Sequence, residues 1–122
     1  MAKVAIVDDS VAAVDLLGSI LKDESHSILP CTKTDDLESK VSSFSPDIIF
    51  LDIVMPDRSG YDVLRSFKRN NKLKDIPVIF TSTKQESTDI KWGLKQGAVD
   101  YITKPFTKDR VVSAISSCLS KV

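Results

Sequence analysis

Short apolar runs alternate along this chain with stretches in which apolar residues recur every three or four positions. Val4-Ala5-Ile6-Val7, Ile28-Leu29, Ile48-Ile49-Phe50, Val78-Ile79-Phe80 and Val99 to Thr103 read as five strands. Helical spacing predicts a helix after each. The first places Val14, Leu17 and Leu21 on one face, with Val11 a turn earlier and Ile20 alongside. The second spans roughly Thr34 to Phe44, burying Leu37, Val41 and Phe44, and ends at Ser45-Pro46. The third turns Val63, Leu64 and Phe67 inward behind a Ser59/Asp62 capping pair. The fourth runs from about Glu86 to Gln96, with Thr83 and Glu86 as its capping pair and Gly97 as its C-terminal glycine. The fifth buries Val111, Ala114, Ile115, Cys118 and Leu119. The central strand runs lack polar alternation, as in a parallel sheet covered by helices on both faces, whereas Ile28-Leu29 is weaker and suits an edge. The expected fold is a doubly wound α/β domain with right-handed crossovers.

Composition narrows the possible partners. The 122 residues fit one domain, 1–122, able to bury roughly two-thirds of its unfolded surface. Lys plus Arg number 17 and Asp plus Glu 17. That balance argues against nucleic acid or an anionic membrane as a main partner, since both call for a basic face. No apolar stretch approaches transmembrane length, and Met1-Ala2-Lys3 leads into a strand rather than a signal peptide. Cys31 and Cys118 have neither metal-ligand spacing nor a disulfide-rich context, which fits reduced packing residues in a cytoplasmic protein.

The candidate chemistry lies at the strand ends. The first run ends in Asp8-Asp9-Ser10, the third in Asp52, the fourth in Thr81-Ser82-Thr83, and the fifth in Lys104-Pro105. In an open parallel sheet the carboxyl ends of the strands are where ligands bind. Singly, each feature has a plain reading: Asp52 as a turn former, Asp8-Asp9-Ser10 as a helix cap, Lys104 as a surface charge. Together they bring three carboxylates, a hydroxyl and an ammonium to one edge. Carboxylates held close repel unless a cation neutralises them or one is protonated. Hard oxygen ligands without nearby His or Cys point to Mg²⁺ rather than zinc. A metal and a lysine could neutralise phosphoryl oxygens and leave a carboxylate free to attack phosphorus.

Four segments carry a resemblance to a known family. V-A-I-V-D-D-S, L-D-I-V-M-P-D-R-S-G, the hydroxyl after P-V-I-F-T, and D-Y-I-T-K-P-F together resemble the receiver domain of two-component response regulators, over the whole chain. The resemblance implies a flavodoxin-like strand order 2-1-3-4-5. It makes Asp52 the phosphoacceptor. Asp9, Asp52 and the backbone carbonyl of Val54 become direct Mg²⁺ ligands, with Asp8 helping through water. Lys104 becomes the lysine that pairs with the phosphoryl group, held by a cis Lys104–Pro105 bond. The family's spacing places the switch hydroxyl at Ser82, with Thr81 the runner-up. Tyr101 matches the aromatic that turns inward on phosphorylation, against the plainer reading of a half-exposed strand tyrosine. Val54 and Lys84 fall where side chains flank the path of hydrolytic water.

The implied function is a response regulator that accepts a phosphoryl group from a sensor histidine kinase or phosphotransfer domain. It would then present a changed surface on helix four, strand five and helix five to a downstream target protein. With no effector domain expected after Val122, the expected output is protein–protein contact, not enzymatic turnover. The segment from Ser82 to Tyr101 resembles receivers of pilus-driven motility and phototaxis pathways. Two rivals share parts of the pattern. An FMN carrier would meet repulsion from Asp8-Asp9 at its phosphate loop, and a Mg²⁺-dependent aspartyl phosphatase would need an Asp-x-Asp motif that Asp52-Ile53-Val54 lacks. Trp92 reads as a packing residue or a partner contact, and His26 as a surface residue.

Overall fold

The computed structural model describes residues 1–119; the last three residues of the expected domain, 120–122, lie outside them. The elements alternate as β1 (Lys3–Val7), α1 (Val11–Asp23), β2 (Ser27–Cys31), α2 (Leu37–Phe44), β3 (Ile48–Asp52), α3 (Gly60–Lys68), β4 (Val78–Ser82), α4 (Ser87–Lys95), β5 (Asp100–Thr103) and α5 (Lys108–Leu119). The strands form one parallel sheet in the order β2-β1-β3-β4-β5. β2 is therefore an edge strand, where Pro30 is tolerated because one side of an edge strand needs no ladder donor.

Alternation along the strands divides the core in two. Ala5, Val7, Ile49, Leu51, Val78 and Phe80 share a core with Leu37, Val41, Val63, Leu64 and Phe67 of α2 and α3, and Tyr101 joins it beneath Gly93 of α4. Val4, Ile6, Ile48, Phe50, Ile79 and Ile102 face α1 and α5, meeting Val14, Leu17, Leu21, Val111, Ala114 and Ile115. Every residue of β3 and β4 is buried. The strands that end in Asp52 and Ser82 are thus enclosed along their whole length.

Several sequence expectations shift at element ends. α2 starts at Leu37 rather than near Thr34, because Asp36 adopts a left-handed conformation (φ 53°) that interrupts a helix. Phe44 is only partly buried, its ring lying beneath the Lys3 ammonium at 4.7 Å. Val11 is exposed because it begins the helix, outside the stripe formed by Val14, Leu17 and Leu21. α4 is capped at Glu86 without a side-chain bond, so Thr83 plays no capping part. Val99 is exposed and precedes β5, and Cys118 and Leu119 are half-buried at the end of α5. The Ser59 cap holds, its hydroxyl accepting from the Asp62 amide, and Gly97 follows α4 with φ 115°.

Candidate functional site

Among the described residues, the buried polar side chains are Asp8, Asp52, Thr81 and Ser82. All four lie at the carboxyl edge of the sheet, where β1, β3 and β4 end. Asp8 is 3 % exposed and Asp52 4 %, so their charges are stripped of most water and need partners. The Lys104 ammonium supplies one, lying 2.7 Å from Asp8 Oδ2 and 3.2 Å from Asp52 Oδ1. It arrives from the end of β5, and the peptide bond to Pro105 is cis, as the resemblance implies. Asp8 also accepts the Ser10 amide at 2.9 Å, while Ser10 caps α1, so one short turn orients both the carboxylate and the helix.

Asp9 completes the group from the exposed rim. Asp8, Asp9 and Asp52 each offer an oxygen, all within 4.8 Å of one another. One lysine cannot neutralise three carboxylates. The residual strain is visible at Asp52, whose carboxyl is pushed up to about 6 by burial and then by the Asp8 charge, against the pull of Lys104. Burial alone would lower the Lys104 ammonium, but its bond to Asp8 and the Asp52 and Asp8 charges hold it above the usual lysine value. An all-oxygen set with excess negative charge suits a small hard divalent cation, and Mg²⁺ fits these residues.

The hydroxyl side of the site is built by β4 and β5. Thr81 stands opposite Asp52 in the ladder, and its carbonyl accepts the Ile53 amide at 3.1 Å. Ser82 is the next residue and ends β4, buried at the same sheet edge. Its hydroxyl accepts the Lys84 amide at 3.1 Å, and its carbonyl accepts the Lys104 amide at 2.8 Å. Tyr101 is 5 % exposed, correcting the reading of a half-exposed strand tyrosine. Its phenol donates to the Lys84 carbonyl at 2.9 Å, and burial pushes the phenol above its ordinary value. Val54 follows in the loop after β3, 59 % exposed.

Residues given no role at the site from sequence support these groups. A Cβ on Gly60 would stand 2.7 Å from the Ile53 Cα and nearer still to the Asp52 carbonyl oxygen. The start of α3 therefore rests directly on the backbone of Asp52. Gly93 does the same for Tyr101: a Cβ there would lie 2.9 Å from the ring. A glycine inside a helix costs about 1 kcal/mol against alanine, which is the signal that could have marked position 93 as a close approach. Arg58 makes a forked pair with Glu38 on α2, at 2.7 and 3.3 Å, and Ser66 of α3 donates to the same carboxylate at 2.6 Å. Trp92 stands exposed rather than packed, and His26 is half-buried, its Nδ1 accepting the Ala2 amide.

The family model for the response regulator receiver domain matches residues 4–116. The chain belongs to this family. A full-length relative among curated proteins is Protein PilH of Pseudomonas aeruginosa, 34 % identical over 120 residues, covering 98 % of this chain and 99 % of PilH. Among solved structures, a response regulator from Desulfuromonas acetoxidans aligns with a TM-score of 0.91 at 26 % identity, over 100 % of this chain and 99 % of that one. The Vibrio cholerae chemotaxis protein CheY4 aligns with a TM-score of 0.88 at 22 % identity, over 97 % and 98 %, and speaks to the fold alone. The receiver is thus a two-component signalling switch in class. No helix among the described residues is long and apolar enough to cross a membrane.

Proposed function

We propose that this receiver, a single domain over 1–122, takes a phosphoryl group from the phosphohistidine of a sensor kinase or phosphotransfer domain onto Asp52. The observation that carries the reading is the convergence of every buried polar side chain described, together with Lys104, at one sheet edge. An Asp52 carboxylate oxygen forms the new bond to phosphorus as the bond to the donor imidazole breaks, and the imidazole leaves carrying a proton. Asp9, Asp52 and the Val54 carbonyl would hold Mg²⁺, with Asp8 through water. The bound ion would supply charge neutralisation at the phosphoryl oxygens. Lys104 would trade part of its contact with Asp52 for a phosphoryl oxygen, stabilising the charge that gathers there.

Ser82 is the hydroxyl proposed to follow the phosphoryl group, and Thr81 the runner-up. Ser82 holds the Lys84 amide while Tyr101 holds the Lys84 carbonyl. A pull on the Ser82 hydroxyl therefore reaches the Tyr101 slot through a single residue. The output is the surface of α4, β5 and α5, where Trp92 is 54 % exposed, and the target is a protein. A place in motility or phototaxis signalling is supported by the resemblance carried by the Ser82 to Tyr101 segment, with which the likeness to PilH agrees, and the free thiols of Cys31 and Cys118 suit a cytoplasmic setting. Incubation with Mg²⁺ and acetyl phosphate, followed by mass spectrometry, tests the reading. One phosphoryl group on Asp52, absent from Asp52→Asn, is expected; equal labelling of that variant would move the acceptor elsewhere.

A further inference from the structure

The loop between β3 and α3 carries Asp52's immediate neighbours, and its two ends are fixed by the backbone. The Ile53 amide donates to the Thr81 carbonyl at 3.1 Å, and the Gly60 amide donates to the Ile53 carbonyl at 2.7 Å. Between these pins Met55 leans on the core, whereas Val54, Pro56 and Asp57 are open to solvent. Arg58 ties the loop to a second element: its guanidinium grips Glu38 with two bonds, and that carboxylate also takes the Ser66 hydroxyl. The Arg58 hydrogen bond first, then that of Ser66, hold the Glu38 carboxyl down to about 2 against the opposing effect of burial. Loop, α2 and α3 meet at this one carboxylate.

We infer that Arg58 is a positioning residue for the divalent cation of this site, acting through its forked pair with Glu38 to hold the loop that contains Val54. The inference rests on the proposed Mg²⁺ site. Both partners are about 30 % exposed, so the pair adds little to global stability. Its leverage lies elsewhere. Mg²⁺ tolerates little departure from octahedral geometry, so a loop that wanders loses affinity before it loses structure.

The sign of the effect separates this from plain electrostatics. Removing a positive charge from the loop should, by relief of Coulomb repulsion alone, strengthen cation binding. A positioning role requires the opposite. Mg²⁺ titrated calorimetrically into wild type, Arg58→Met, Arg58→Lys, Glu38→Gln and the Arg58→Met/Glu38→Gln double variant decides between them. Arg58→Met is expected to bind Mg²⁺ about three- to tenfold more weakly. Arg58→Lys, which keeps the charge but loses the fork, should also weaken it. The double variant should be no weaker than Arg58→Met alone. In metal-free protein, exchange of the Gly60 amide, which closes the loop onto the Ile53 carbonyl, should quicken in Arg58→Met while β3 and β4 stay protected. Unchanged or tighter binding in Arg58→Met, with wild-type binding intact and abolished by Asp9→Ala, would overturn the inference. Wild-type protein that binds no Mg²⁺, or binds it regardless of Asp9, would overturn the underlying site as well.

Discussion

Burial and the Asp8 charge raise the Asp52 carboxyl to about 6, well above the ordinary carboxylate value. In the metal-free protein, ionising Asp52 therefore opposes folding. The cost is absent below the unfolded value and complete once pH has risen through the folded one. Asp52→Asn should consequently be more stable than wild type in chelator at pH 7.5 by about 1–2 kcal/mol, after allowing for the lost bond to Lys104. Urea unfolding at pH 7.5 and pH 5 checks this, with the gap expected to narrow at the lower pH. Val54 raises a separate question, the lifetime of an acyl phosphate. Hydrolysis needs a water held in line with phosphorus; an exposed valine offers that water no hydrogen bond, and a charged Lys84 cannot accept its proton. Unaided dephosphorylation should be slow. Val54→Asn should shorten the phosphorylated half-life several-fold, about 1 kcal/mol in barrier, and matched decay measurements in Mg²⁺ would show it. The acidic residues and Lys104 were legible in sequence because each residue type carries its chemistry and each stood at a strand end. Arg58 with Glu38 was not. Their partnership joins residues 20 positions apart in the chain, and no local pattern encodes which surface carboxylate an arginine will meet.

At the scale of elements, α4 stands apart. It is an α-helix of nine residues, and Gly93 is its one buried residue. Gly93 lies against the Tyr101 ring, with Phe80 also in reach of an added Cβ, at 3.4 Å. Phe80 in turn meets Tyr61 edge-on at 5.4 Å. α4 therefore rests on the residue proposed to switch. Gly93→Ala should displace the ring or lift the helix. Overpacking, about 1–3 kcal/mol, is expected to outweigh the gain in helix propensity of up to about 1 kcal/mol. Tyr101 ring resonances and Trp92 emission should shift in the unphosphorylated protein. A more stable variant with unchanged ring signals would show that the slot has room. The existence of all ten elements was readable from periodicity, because strand and helix patterns differ and glycine or proline marks several ends. Their boundaries were less so. The Asp36 conformation and the bare Glu86 cap depend on how the chain is led into each helix, and the third-residue spacing of Thr83 and Glu86 mimicked a cap that the fold does not use.

For the molecule as a whole, the alternation of strands and helices dictates a parallel sheet, but the order β2-β1-β3-β4-β5 came only from the family resemblance. Apolar runs of similar length do not say which of them pair. That order matters energetically, because it sets β1 beside β3 and so brings Asp8 and Asp9 to Asp52. The fold thus assembles a cluster of like charge at its own cost, and the cation fit of that cluster links metal to stability. A ligand bound by the native state alone stabilises it by mass action, about 2.7 kcal/mol at a concentration one hundred times its dissociation constant. Wild-type protein should gain about that much in saturating Mg²⁺, read as a rise in thermal midpoint of several degrees. Asp9→Ala should behave oppositely in the two conditions. Asp9 is exposed, so its removal leaves no cavity in the core, and without metal the variant should be at least as stable as wild type because one repelling charge is gone. With Mg²⁺ at the same concentration it should gain little, so the two melting curves should change order between chelator and metal. An Asp9→Ala protein that gains as much as wild type would remove Asp9 from the cation site.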